Sequence, residues 1–252
     1  MNLLLICAGD RSNYSIALNC LSHIYKQKKD KITVFLLDDD QEIVKFANKR
    51  KIRLIRKNFD EFEKKIKKDQ FDWLLNIWGH KILKKDFLRK FKNNLNLHPS
   101  YLPYNRGRDP YYFSIMDGTP VGVCIHRMDE SIDGGKYFLR KKILIKFPTT
   151  AGVIFDKSLY QIKKLFIENW IEIRNKKIKL KQFTPKIKKI NKRKTLIKNN
   201  FLILDNKKNI NVKNFILNCL AQDFLFLKQQ VKLYGKIYDC KIILKSNLKK
   251  KW

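Results

Sequence analysis

Met1-Asn2-Leu3-Leu4-Leu5-Ile6-Cys7-Ala8 runs into Gly9-Asp10-Arg11 and a polar turn. The apolar run predicts a buried strand over 2–8. It carries no basic leader, is too short for a secretory segment and gives way at once to polar residues. Helical and strand periods then alternate. A helix is expected over 12–28, opened by Ser12 or Asn13, then a strand over 31–37 ending at Asp38-Asp39-Asp40. A helix over 41–50 and a short strand over 52–55 follow. Residues 60–68 have helical spacing, with apolar positions 59, 62 and 66, and 71–77 is again strand-like. This alternation defines an α/β fold, a Rossmann-like, doubly wound and mainly parallel sheet. Ligands in such sheets sit beyond the carboxyl ends of the strands. The turn after the first strand lacks G-x-G-x-x-G, so a nicotinamide dinucleotide site is not expected.

Composition narrows the class. The 252 residues are 44% hydrophobic, enough for one substantial core and a small appendage. No apolar run is long enough to span a bilayer, so membrane insertion is not expected. Cys7, Cys20, Cys124, Cys219 and Cys240 are scattered, without a C-x-x-C pair or a histidine at ligand spacing. That pattern argues against zinc and fits a reducing, cytoplasmic setting. The net charge of +33 admits a polyanion partner such as tRNA. Yet the lysines spread evenly over 26–31, 64–68, 176–194 and 249–251, without the interleaved arginines and aromatics of RNA-binding patches. The favoured reading is compositional drift, with nucleic acid unlikely as a partner; such a surface still speeds capture of an anionic nucleotide.

The chemistry concentrates between Leu95 and Lys136. In Leu95-Asn96-Leu97-His98-Pro99-Ser100, Asn96 and His98 alternate with leucines, so both polar groups face one side of a strand. Pro99 ends the strand and Pro103 closes the loop. Downstream, Met128-Asp129-Glu130-Ser131-Ile132-Asp133-Gly134-Gly135 follows another strand-like run. An amide, an imidazole and a carboxylate at one sheet edge can take a proton from an amine and hold an oxyanion while an acyl group moves. Alone, Asn96 and His98 also fit a structural reading in which they satisfy loop backbone.

Asn, one residue, His-Pro-Ser, then a downstream Asp, a small residue and Gly resembles the catalytic core of the folate-dependent formyltransferases. Within them it is most similar to the nucleotide-sugar N-formyltransferases. The resemblance implies His98 as general base, with an ordinary pKa near 6.5 suited to neutral pH. It implies Asn96 as oxyanion donor, a role worth about 3 kcal/mol, and Asp133 as the group that orients the imidazolium or a relaying water. Ser131 stands where the family usually has Gly, and Gly134 where it has Thr or Ala. The first change would matter if the turn needs positive φ at 131.

Two further segments should form the folate pocket. Trp78-Gly79-His80-Lys81-Ile82-Leu83 resembles the family's pterin-lining segment, with Trp78, Gly79, Ile82 and Leu83 as contacts; Ile82 and Leu83 equally suit core packing. Met128, Asp129, Glu130 and Ile132 would form the opposing loop. His80 and His126 read as ordinary loop or sheet histidines, and His23 as surface helix. The loop Tyr104-Asn105-Arg106-Gly107-Arg108-Asp109-Pro110-Tyr111-Tyr112 is similar to the sugar enzymes, whereas methionyl-tRNA formyltransferases read closer to Trp-Arg-Gly-Ala-Ala-Pro. Arg106 and Arg108 about a glycine make bidentate donors suited to a diphosphate. Tyr104, Asn105 and Tyr112 are further substrate contacts, Tyr111 and Tyr112 being able to stack on sugar or base. Arg11 and Lys81 are candidate phosphate contacts.

Thr149 or Thr150 can cap a helix over 151–170, and 176–194 reads as a strand plus connector. The tail over 195–252 carries strand signals at 200–204 and 240–244, a short helix at 211–220 and a turn at Tyr234-Gly235-Lys236. The expected division is a catalytic domain over 1–185 and a small, mostly β region over 186–252. The resemblance implies formyl transfer from N10-formyltetrahydrofolate, without a metal, to a nucleotide-linked amino-dideoxysugar. The expected acceptor is dTDP-4-amino-4,6-dideoxyglucose or its 3-amino isomer, for O-antigen or other surface glycan, and the expected assembly is a homodimer. The alternative is a methionyl-tRNA formyltransferase, opposed by the Arg-Gly-Arg loop and by a tail short for an RNA-binding barrel. Formyl-donor hydrolysis, glycinamide ribonucleotide formylation and non-catalytic binding are lesser readings.

Overall fold

A computed structural model describes residues 1–9, 15–205, 209–224 and 227–244. The first half runs β1 Asn2–Cys7, α1 Ile16–Lys26, β2 Lys31–Leu36, α2 Gln41–Lys49, β3 Arg53–Ile55 and α3 Phe59–Lys65. It continues through β4 Trp73–Ile77, α4 Lys85–Leu88, β5 Asn93–His98, β6 Arg106–Gly107, α5 Pro110–Met116 and β7 Gly122–His126. Then come β8 Tyr137–Lys142, α6 Ala151–Arg174, β9 Ile190–Asn191, α7 Arg193–Asn199, β10 Phe201–Ile203, α8 Val212–Gln222, β11 Gln229–Leu233 and β12 Lys236–Cys240.

The main sheet has the order β3-β2-β1-β4-β5-β7-β8. Its strands are parallel from β3 to β5, and β7 and β8 add antiparallel at the far edge. Period-two alternation divides β1 between two cores. Leu3, Leu5 and Cys7 pack with α1 and α6, including Ile16, Leu21, Ile162 and Trp170. Leu4 and Ile6 pack on the other face with Phe35, Phe59, Phe62, Phe87 and Phe91. The sheet is therefore covered on both sides, which is why its central strands read as unbroken apolar runs.

Helix starts follow local capping chemistry. Asp40, last of the acidic cluster, accepts from the backbone N–H groups of Glu42 and Ile43 and caps α2. Asn58 does the same for α3, and Thr150 accepts from Val153 N to open α6. Helix α6 extends past the expected Trp170 to Arg174, whose guanidinium meets Asp30. Ser12 and Asn13, the expected opening of the first helix, lie outside the described residues, as does Arg11; α1 begins at Ile16.

The C-terminal region carries a three-stranded sheet, β10-β11-β12, with α7 and α8. Asn211 caps α8 through Asn214 N, close to the expected helix. The strand expected at 240–244 is instead β12 at 236–240, and β11 was not anticipated. In Gln229–Leu233 only one apolar side chain, Val231, is buried, so its pattern is faint. Tyr234 and Gly235 connect the two strands with φ of 50° and 72°, the doubly positive conformation of a type I′ hairpin. No regular strand forms over 176–189 beyond a bridge between Lys181 and Tyr137. Strand β9 instead returns to pair with β6, bringing the C-terminal region against the Arg-Gly-Arg loop. Among the described residues, no helix is long and apolar enough to cross a membrane.

Candidate active site

Sheet register assembles the site. Asn76 on β4 pairs with Asn96 on β5, and Asn96 pairs with His126 on β7. Three polar side chains thus sit in cross-strand register near the ends of three neighbouring strands. Asn76 Nδ2 donates to Asn96 Oδ1 at 2.9 Å, and Asn96 Nδ2 lies 3.0 Å from His126 Nε2. His98, two residues beyond Asn96, presents Nδ1 to Asp133 Oδ1 at 3.5 Å. His126 Nε2 lies at the same distance from that oxygen, while Gly107 N donates to Asp133 Oδ2 at 2.9 Å. The structure therefore brings Asn96, His98 and Asp133 together and adds Asn76 and His126, which the sequence reading had passed over. His126, only 1% exposed, is part of the cluster and not an ordinary sheet histidine.

Burial sets the electrostatics. Burial pushes the His98 imidazole below its ordinary pKa; Asp133 and the Asn105 backbone pull it up, His126 pushes it further down, and burial prevails. Burial alone would raise the Asp133 carboxyl. The charge of His98, the hydrogen bond and charge of His126 whenever its Nε2 carries a proton, and the Gly107 N–H hold it far below the usual carboxylate range. His98 Nε2 is buried without a hydrogen-bond partner among the described residues.

The turn around Asp133 resolves the concern about Ser131. The left-handed residue is Asp133 itself, with φ 49°, and Ser131 is not among the positive-φ residues. Ser131 instead donates through N and Oγ to Asp129 Oδ1. A Cβ at Gly134 would lie 2.2 Å from Ser131 Oγ and 2.6 Å from an Arg106 nitrogen, so a larger residue there needs these side chains to move.

These groups open on a cleft of about 1060 Å³. Both expected folate segments line it: Trp78 to Leu83 on one side, Met128 to Ile132 on the other. Trp78 holds φ 64°, and a Cβ at Gly79 would stand 2.1 Å from Asn76 Oδ1, so this turn is built for close backbone approach. Ile82 is 69% exposed at the cleft, whereas Leu83 and Met128 pack against the second core cluster. Met128 N donates to Asn94 Oδ1 at 2.7 Å, and Glu130 pairs with Lys85.

The Arg-Gly-Arg loop departs from expectation. Arg106 donates to Ile132 O at 2.9 and 2.7 Å and to Ile187 O at 2.7 Å, so it clamps the Asp133 turn to the C-terminal segment and is not a free diphosphate ligand. Asn105 is buried and donates to Ser114 Oγ and Thr119 Oγ1, away from the cleft. Tyr112 is buried too, its hydroxyl donating to Asn218 and accepting from Asn199. Tyr104 does not line the cleft; its carbonyl accepts from Ser100 Oγ. The cleft is lined instead by exposed Arg108, by Tyr111 and by Lys81, which also pairs with Asp60 at 3.1 Å. From the C-terminal region it gains Ile190, Asn191, Lys192, Arg193 and Phe224. Arg193 grips Asp109 through two hydrogen bonds of 3.1 and 2.5 Å, which fixes the return segment at the rim. Among the described residues, no group of three or more His, Cys, Asp or Glu is arranged to hold a metal ion.

The fold is a doubly wound α/β sheet that carries an Asn-His-Asp cluster at its strand ends. A family model for formyl transferases matches residues 20–169, more than half of the sequence, and the chain belongs to that family. The dTDP-4-amino-4,6-dideoxyglucose formyltransferase of Mycobacterium bovis is 35% identical over 81 residues, 32% of this chain and 35% of the relative. The methionyl-tRNA formyltransferase of Desulforamulus reducens is 32% identical over 127 residues, 48% of this chain and 40% of the relative. The chain therefore matches well under half the length of these curated relatives. A 4-N formyltransferase from Francisella tularensis has the same fold, with a TM-score of 0.77 at 18% identity over 97% of this chain and 98% of that one. The formyltransferase PseJ from Anoxybacillus kamchatkensis, solved with UDP-4,6-dideoxy-4-formamido-L-AltNAc and tetrahydrofolate, matches at 25% identity and a TM-score of 0.57, covering 79% and 89%.

Proposed function

We propose that the chain transfers a formyl group from N10-formyltetrahydrofolate to the primary amine of a nucleotide-linked amino-dideoxysugar, dTDP-4-amino-4,6-dideoxyglucose or its 3-amino isomer. The reading places this step in the supply of formamido sugars for O-antigen or other surface glycan. The observation that carries it is the buried, unpartnered His98 Nε2 beside Asp133 and Asn96 at the cleft. The sugar amine attacks the formyl carbon and a C–N bond forms. His98 Nε2 takes the proton released from the amine, and Asp133 faces Nδ1 to stabilise the imidazolium. Asn96, with one N–H directed at His126, offers the other to the oxyanion. The bond between the formyl carbon and N10 then breaks, and tetrahydrofolate leaves with the proton. The segments 78–83 and 128–132 bracket the donor, while Arg108 and Lys192 are the exposed cations at the cleft suited to a diphosphate.

The catalytic unit is taken as 1–185 with 186–252 appended, the appendage closing the cleft rim. Its edge strand β12 exposes Ile237 and Tyr238, which supports a homodimer formed through the C-terminal strands. Free cysteines suit a cytoplasmic enzyme. Methionyl-tRNA formylation is the weaker reading, since the end-to-end match to a 4-N formyltransferase includes the C-terminal region.

The test is steady-state release of tetrahydrofolate with dTDP-4-amino-4,6-dideoxyglucose, its 3-amino isomer and initiator Met-tRNA in parallel. Sugar-dependent release is expected; release driven only by tRNA overturns the reading. The acid limb of kcat/KM is expected below pH 6.5, because burial lowers the pKa of the base. The same shift has a stability signature: the unfolded chain protonates His98 first, so its contribution is lost as pH falls below 6.5 towards the lower folded value. Asp133 contributes above the ordinary carboxylate range and loses that contribution only in stronger acid.

A further inference from the structure

We infer that Asn76 is a positioning residue that fixes the orientation of the Asn96 amide and, through it, the tautomer of His126. The inference concerns the same site and rests on the formyl-transfer reading for its kinetic consequence only. Asn76 Nδ2 lies 3.3 Å from Gly79 O and 2.9 Å from Asn96 Oδ1. A backbone carbonyl only accepts, so the Gly79 end requires the NH2 of Asn76 to point this way. Asn96 must then receive through Oδ1, which turns its own NH2 towards His126 Nε2 at 3.0 Å. His126 Nε2 therefore carries a lone pair, and the ring proton resides on Nδ1, which faces Arg127 O at 3.2 Å.

Arg127 O, like Gly79 O, is an obligate acceptor. The chain Gly79 O, Asn76, Asn96, His126, Arg127 O is thus pinned at both ends by carbonyls, and only one arrangement of its protons satisfies every link. Cross-strand register makes the relay possible, since Asn76 pairs with Asn96 and Asn96 with His126 across β4, β5 and β7. The tightness of the Gly79 turn holds the first link, because any side chain at that position would meet Asn76 Oδ1.

The arrangement has two consequences at the reacting centre. Asn96 keeps a donor, not an acceptor, available to the developing oxyanion. A flipped amide would turn its carbonyl oxygen to His126, demand a proton on Nε2 and aim that N–H at Asp133 Oδ1, 3.5 Å away. Asp133 would then divide its hydrogen bonding between two imidazoles. With Asn76 in place, Asp133 faces an Nδ1 of His98 as its one donor imidazole. His98 and Asp133 are the titratable groups facing His126 in this cluster.

Asn76→Asp removes the donor and sets a carboxylate oxygen against Asn96 Oδ1, which drives the flip. Asn76→Leu removes the donor at similar volume and also eliminates the buried, unpartnered Asn76 Oδ1. The experiment is a long-range ¹H–¹⁵N spectrum of the histidine rings in the wild type and both variants, with His126 identified by its loss in His126→Gln. It is run beside kcat and KM for sugar and folate and a thermal melt. The wild type is expected to show a protonated Nδ1 and a bare Nε2 at His126. Asn76→Asp is expected to move that proton to Nε2. In Asn76→Leu, kcat is expected to fall roughly 10- to 100-fold, less than the ~10²- to 10³-fold of deleting an oxyanion donor because the Asn96 amide is freed and not removed, with KM and melting temperature retained.

A wild-type His126 protonated on Nε2 overturns the inference even if neither variant folds. An unchanged tautomer in Asn76→Asp, or an unchanged kcat in Asn76→Leu, overturns it as well. If the wild type transfers no formyl group to any sugar, the function falls while the ring spectra still decide the relay.

Discussion

His98→Asn is expected to lower formyl transfer on the order of 10³-fold while leaving acceptor binding nearly intact. The substitution removes the proposed base, whose Nε2 is buried without a hydrogen-bond partner among the described residues. Asparagine keeps an N–H donor on the side where His98 Nδ1 meets Asp133 at 3.5 Å, so the carboxylate is not stripped of a partner. The segments Trp78 to Leu83 and Met128 to Ile132 that line the cleft are unchanged by the substitution, and KM for folate should hold. Asp133→Asn should also slow the reaction, because it removes the charge that favours protonated His98. If the two residues act as one unit, the double variant should be little worse than His98→Asn alone. Steady-state kinetics of both single variants and the double decide this. Undiminished turnover in His98→Asn would remove His98 from its role, and full additivity would separate Asp133 from it.

What the sequence disclosed and concealed divides by the range of the interaction. Strand β1, helix α6 and the cap at Thr150 depend on residues within a few positions, and they were readable. Asn96 and His98 were readable for the same reason, since alternation along one strand sets both on one face. His126 was hidden because its neighbours Val123, Cys124 and Ile125 are all core. Only the antiparallel register of β5 and β7 reveals that it faces Asn96. Asn76 carried a signal that went unused: a lone amide inside the apolar run Trp73–Ile77 has to find a partner.

Arg106 failed differently. A charged loop residue beside a glycine suggests a ligand, yet its acceptors are the carbonyls of Ile132 and Ile187, both distant in the chain. No local pattern encodes that contact. Tyr111 and Tyr112 were indistinguishable as a pair until α5 was seen to begin at Pro110, which aims the first at the cleft and the second at Asn199 and Asn218. The role of the C-terminal segment was concealed most fully, because β9 is two residues long and its partner β6 lies in the Arg-Gly-Arg loop.

The largest stability effect is expected far from the cleft, at Asp30. Asp30→Ala should destabilise the fold by about 3–5 kcal/mol, the scale for removing one partner of a buried ion pair. The Asp30 side chain is fully buried and accepts from Arg174 Nε at 3.0 and 2.9 Å and from Arg174 Nη2 at 2.5 Å. The Met1 amino group stands 3.0 Å from the same carboxylate. Alanine would leave two positive charges facing each other around an unfilled space, with Arg174 only 12% exposed. The exposed Asp39–Arg56 pair has equally close atoms, but water screens it, and Asp39→Ala should cost about 1 kcal/mol or less. Urea denaturation of both variants separates the cases. A double change, Asp30→Leu with Arg174→Met, should recover most of the loss, because replacing both charges by apolar groups leaves neither unpaired. The destabilisation would then belong to an orphaned charge and not to lost packing at the end of α6. If Asp30→Ala costs no more than Asp39→Ala, water reaches the pair, and the helix end is held by Trp170 and Ile173 alone.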